Sequence, residues 1–161
     1  MNNTKVVAIS GVSGAGKTTI VKLLAKEFNC PFLLFDDHTE KDTYPNNMKD
    51  WLESGANVSL FKTPKLVESL QQLISINKHN FIFVEEPFGK ERKEMSVLID
   101  QAVLIDIPLE ICLARMINRN IRLNTENSLI LIPKFLNNYE DYFRDIYLEA
   151  VQQVRNNCDL I

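Results

Sequence analysis

Residues 11–18 read Gly-Val-Ser-Gly-Ala-Gly-Lys-Thr. They meet every fixed position of the phosphate-binding pattern G-x-x-x-x-G-K-[ST]. No other stretch constrains the fold as strongly, because the pattern works only as a turn between a strand and a helix. Both flanks are present. Residues 5–10, Lys-Val-Val-Ala-Ile-Ser, form a short apolar run suited to a buried strand. Residues 18–28 carry Ile20, Leu23, Leu24 and Phe28 at helical spacing. The glycines let consecutive backbone N–H groups turn toward phosphate oxygens. The helix N-terminus adds partial positive charge. Gly11, Ser13, Gly14, Ala15, Gly16, Lys17, Thr18 and Thr19 are the expected nucleotide-binding set, with Lys17 reaching the β- and γ-phosphates and Thr18 a Mg2+ ion.

A chain of 161 residues is long enough for one domain with a proper core. Its formal charge of −3 argues against a protein that coats nucleic acid. Cys30, Cys112 and Cys158 are odd in number and form no C-x-x-C pair, so neither a disulfide framework nor a zinc site is expected. No apolar run approaches a membrane span and no signal segment precedes the first strand. A cytoplasmic protein without a membrane or nucleic-acid partner is the expectation.

Three further apolar runs follow at the spacing of β-α units. Residues 32–35 are Phe-Leu-Leu-Phe and end in Asp36-Asp37. Residues 81–84 are Phe-Ile-Phe-Val and end in Glu85-Glu86. Residues 102–107 form a fourth strand, and residues 158–161 a fifth, very short one. Strands alternating with helices imply an α/β fold, a mainly parallel sheet with helices on both faces. Ligands in such sheets sit beyond the carboxyl ends of the strands, so acids placed there face the phosphates. Asp36-Asp37 is then a candidate functional pair rather than a solvated turn. Neighbouring strand residues point to opposite faces, so one glutamate faces a metal; Glu85 is preferred, and Glu86 is left for substrate.

The least regular stretch, residues 38–61, is the expected substrate region. It holds Tyr44 and Trp51, the single tryptophan, which either stacks on a planar substrate or plugs the core. Residues 90–99 are charged and suit a helix. Residues 109–122 form a helix on which Arg115, Arg119 and Arg122 share a stripe. No acid on that helix pairs with the stripe, so an anion is its natural visitor. Residues 123–128 are polar and suit a turn over the site. A long helix is expected from Phe135 to about residue 156, with its tyrosines on the core side.

With these residues assembled, the chain resembles the P-loop kinases of small metabolites, and most of all the uridine kinase-like group. The resemblance implies a single P-loop NTPase domain over residues 1–161, a five-stranded sheet in the order 2-3-1-4-5, and a lid at about residues 115–128. It implies ATP and Mg2+, with Lys17, Asp36, Arg115 and Arg119 catalytic and with Thr18 and Glu85 at the metal. Asp37, Tyr44, Trp51 and Glu86 remain for the substrate, a nucleoside or similar small molecule. The lid departs from the usual pattern: Met116 stands where a second arginine is common, and Asn120 where an aspartate is. The segment between the second and third strands also differs, so the acceptor is not named by the match. Two alternatives stay open: a kinase of nucleoside monophosphates or other metabolites, and a non-catalytic ATP- or GTP-binding regulatory module.

Overall fold

The computed structural model describes residues 4–123 and 126–161. Four parallel strands, β1 (Lys5–Ser10), β2 (Phe32–Leu33), β3 (Phe81–Glu85) and β4 (Gln101–Leu104), lie in the order β2-β3-β1-β4. The first and third strands pair with Val7 opposite Phe83 and Ala8 opposite Val84. β1 sits centrally and is buried on both faces, as a continuous apolar run allows. Its residues alternate between two cores. Val6 and Ala8 join Ile82, Val84 and Ala102 against Leu66 and Leu70 of helix α3 (Pro64–Ile76). Val7 and Ile9 join Phe83 against Val21 and Ala25 of α1 (Lys17–Glu27). Helices therefore cover both faces of the sheet.

Local chemistry sets the helix starts. Pro64 occupies the first turn of α3, where a missing N–H costs nothing. The short α2 (Met48–Glu53) is capped by Asn47, whose side chain accepts from the N–H groups of Lys49 and Asp50. The remaining helices are α4 (Lys93–Ser96), α5 (Leu109–Leu123), α6 (Glu126–Asn138) and α7 (Arg144–Asn157). Among the described residues no helix is long and apolar enough to cross a membrane.

Several elements differ from expectation. β2 spans two residues, not four. The Leu34 carbonyl lies 2.7 Å from His38 Nδ1, and the Phe35 carbonyl accepts from the His38 N–H. These contacts curl Asp36–His38 into a 3-10 turn. Residues 90–99 hold a single helical turn, α4, because Arg92 before it is drawn into the interior. The expected fifth strand is one bridge, Val103 to Leu160, beside β4. The Ala102 N–H that a longer ladder would use is taken by the Asp159 side chain at 2.8 Å. The final helix begins before Phe135, at Glu126, and is interrupted by a π-helical turn, Tyr139–Phe143. Of the turn expected over residues 123–128, Leu123 ends α5 and α6 starts at Glu126; residues 124–125 lie outside the described residues.

Candidate active site

The loop between β1 and α1 is shaped by contacts that leave no room for side chains. Gly14 has φ +84°, and a Cβ there would lie 2.4 Å from the Cys112 carbonyl oxygen of α5. The loop thus rests directly on the backbone of α5. Its lysine is buried. Lys17 Nζ donates to the Val12 carbonyl at 3.0 Å and lies 3.8 Å from Glu85 Oε1. Burial lowers its ammonium below the ordinary lysine value, against the attraction of Glu85 and Asp36. Thr18 Oγ1 donates to Glu85 Oε2 at 2.9 Å. Burial raises the Glu85 carboxyl above the ordinary glutamate value, against the pull of Lys17 and Thr18.

A hydroxyl and a carboxylate at hydrogen-bond distance are the oxygen donors that Mg2+ prefers. Among the described residues no group of three or more His, Cys, Asp or Glu makes a self-sufficient metal cage. Thr18 and Glu85 therefore suit an ion that completes its coordination with phosphate and water oxygens.

Two cavities meet at this point. One, of about 580 Å³, is lined by Ser13 to Ile20, with Arg115, Met116 and Arg119 of α5. The other, of about 420 Å³, is lined by Phe35, Tyr44, Phe61, Phe88, Phe143 and Tyr147 among others. Ser13, Lys17, Asp36 and Glu85 line both. Asp36 reaches them from the 3-10 turn after β2. Asp37, its neighbour, is not among the lining residues of either cavity.

Arg115 Nη1 donates to the Gly14 and Ala15 carbonyls at 3.3 and 3.4 Å. Arg119 reaches the same cavity, while Arg122 lines an adjacent cleft with Arg115, Asn118 and Arg119. The stripe thus splits between the cavity beside the loop and its outer rim.

Besides Asp37, two expected substrate residues stand outside the cavities. Trp51 is buried in the core, where its Nε1 donates to the Asn57 carbonyl at 2.9 Å and its ring meets Phe61 edge to face at 5.4 Å. It supports the cavity wall without lining it. Glu86 is fully buried and pairs with Arg92, so it turns away from both cavities. Tyr44 does line the second cavity, packed edge to face on Phe61 at 5.8 Å.

Phe61 lines the second cavity from the end of the expected substrate region, whereas Phe88, Phe143, Ile146 and Tyr147 join it from outside that region. Helical spacing puts Phe143 and Ile146 on a core face; Phe143 ends the π turn, and with Ile146 and Tyr147 of α7 it lines the cavity. Tyr147 shares the cavity lining with Ser13 of the loop. No sequence signal announces a π turn, although π turns are frequent at functional sites.

The model of the AAA domain family matches residues 7–134 of the chain. A uridine kinase of Staphylococcus epidermidis is 22% identical over 186 aligned positions, covering 100% of this chain and 88% of that protein. A gluconokinase of Arabidopsis thaliana is 64% identical over a stretch of 33 residues, 20% of this chain and 18% of its own length. Among solved structures, the shikimate kinase of Aquifex aeolicus superimposes with a TM-score of 0.52 at 21% identity, covering 96% of this chain and 84% of its own.

Proposed function

The chain belongs to the AAA domain family, and on that premise we propose that this ATP-dependent small-molecule kinase moves the γ-phosphoryl group of Mg-ATP onto a hydroxyl of a small metabolite, a nucleoside in our reading. One observation carries the proposal. The phosphate cavity and the apolar cavity share Ser13, Lys17, Asp36 and Glu85, so an acceptor in one and a triphosphate in the other meet at Asp36.

Each residue then has a part. The loop N–H groups and Lys17 hold the β- and γ-phosphates. Thr18 and Glu85 would hold Mg2+, which when bound supplies charge neutralisation. Asp36 orients the acceptor hydroxyl and takes its proton as the new O–P bond forms. The bond from the γ-phosphorus to the β,γ-bridging oxygen breaks, and ADP leaves. Arg115 and Arg119 offset the charge spread over the moving phosphoryl group. Positioning and fixed electrostatics supply most of the acceleration in such transfers.

Phosphorus NMR of the protein with Mg-ATP and a nucleoside tests the reading. A new phosphomonoester signal matched by ADP is expected. Free phosphate alone, with no ester from any hydroxyl compound, would overturn it.

A further inference from the structure

We propose, resting on the kinase reading above, that the acceptor pocket selects an uncharged molecule by its flat apolar face and excludes acceptors that carry a phosphate or carboxylate.

The walls are aromatic. Phe61 and Phe88 pack at 4.5 Å on one side of the lining. Phe143 and Tyr147, delivered by the π turn and α7, lie nearly parallel at 6.3 Å and 14°. Aromatic faces bind rings by stacking, which tolerates differences at the ring's edge. Edge-reading groups are few. Among the lining residues outside the four shared ones, only Tyr44 and Tyr147 carry a side-chain oxygen or nitrogen.

The charges exclude anions. Lys17 is the only cation in the lining, against the carboxylates of Asp36 and Glu85. Lys17 itself is committed to the phosphate side. Arg92 lies 5.4 Å over the Phe35 ring, yet it is sealed behind it. Its N–H groups go to Glu86, the Phe61 carbonyl and Thr63. Arg115 and Arg119 line the other cavity. A phosphate or carboxylate placed between these rings would be desolvated with no partner, beside two like charges.

Trp51 reports on the pocket because it is the single tryptophan and touches Phe61. The test titrates the wild-type protein, with a non-hydrolysable ATP analogue and Mg2+, and follows Trp51 emission. The ligands are the four common ribonucleosides, their 5′-monophosphates, shikimate, methyl shikimate and gluconate. The expected result is binding of the neutral nucleosides with Kd values within about tenfold of one another, consistent with stacking. Each monophosphate should bind about 100-fold or more weakly than its nucleoside, and shikimate more weakly than its methyl ester. Phe143→Ala should weaken every neutral ligand about tenfold or more, by loss of one stacking face.

A monophosphate, gluconate or shikimate that binds as tightly as its neutral counterpart, or that is phosphorylated, would overturn the proposal and leave the kinase reading intact. No binding by any neutral ring compound would overturn it too. Selective binding of neutral rings without acceptor-dependent ADP release would leave the pocket's selectivity standing and overturn the kinase reading.

Discussion

Glu86 and Arg92 form a two-pronged ion pair sealed from solvent. Arg92 Nε donates to Oε1 at 3.0 Å and Nη2 to Oε2 at 2.5 Å, with the side chains 0% and 2% exposed. This pair separates the fates of two adjacent glutamates. Glu85 turns to the phosphate loop, and Glu86 anchors the segment after β3. Arg92 Nη1 also donates to the Phe61 carbonyl and to Thr63, so the pair fixes a wall of the apolar cavity to the start of α3.

Removing one partner should therefore be costly. Arg92→Met leaves a buried carboxylate without its counter-charge, a loss of about 3–5 kcal/mol. For a domain of this size the melting temperature should fall by roughly 6–20 °C. Glu86→Leu combined with Arg92→Met should recover most of that loss, because apolar replacements of a buried pair are often neutral or better. Calorimetry on the two variants checks both. A double variant as unstable as the single one would show that the hydrogen bonds to Phe61 and Thr63 matter more than the charge.

Lys17 and Glu85 should cost the ligand-free protein stability near neutral pH. Burial raises the Glu85 carboxyl, so its contribution to stability is complete below the ordinary glutamate value and is lost as pH rises through the raised one. Burial lowers the Lys17 ammonium, so its contribution is complete above the ordinary lysine value and is lost as pH falls through the lowered one. Replacing a buried pair of this kind by neutral side chains is often neutral or stabilising. Lys17→Met with Glu85→Gln should then melt higher than wild type at pH 7. The gap should narrow as pH falls toward the ordinary glutamate range, about 4.3. The same variant should lose the stabilisation that Mg-ATP gives the wild type. Melting curves from pH 4.5 to 8, with and without nucleotide, read both effects; a variant that melts lower than wild type at pH 7 would contradict the first.

Gly14→Ala should abolish nucleotide binding without touching a charge. The new Cβ would meet the Cys112 carbonyl at 2.4 Å in a backbone conformation, φ +84°, that side chains rarely adopt. Either the loop or α5 must move, and Arg115 moves with α5. Nucleotide titration by calorimetry should show affinity reduced at least about 100-fold, a loss of roughly 3 kcal/mol of binding free energy. Wild-type affinity would mean that the loop and α5 are not mechanically joined.

The phosphate loop is legible in the sequence because its chemistry fixes both residue types and spacing. Glu85 is also approachable, since alternation on a strand gives two neighbouring glutamates different faces. Asp36 and Asp37 are not separable that way. They follow a strand of only two residues and sit in a 3-10 turn built by His38. Trp51 is undecided in sequence because an indole suits a pocket and a core equally; the Asn57 carbonyl that takes its N–H is a tertiary contact. The walls of the apolar cavity are not legible in the sequence for a different reason. Phe61 and Phe88 meet through long-range packing, and Phe143 and Tyr147 sit on a helical stretch whose apolar spacing reads as core. The fifth strand was overread because an Asp side chain occupies a backbone ladder position.

The most direct test of the account is acceptor-dependent ADP release by wild type and by Asp36→Asn, measured side by side with saturating Mg-ATP. A positioned general base contributes about 10²–10⁴-fold, so turnover should fall by that order in Asp36→Asn while nucleotide affinity stays within about twofold of wild type. Unchanged turnover in the variant would contradict the assignment of Asp36 as the group that prepares the acceptor hydroxyl.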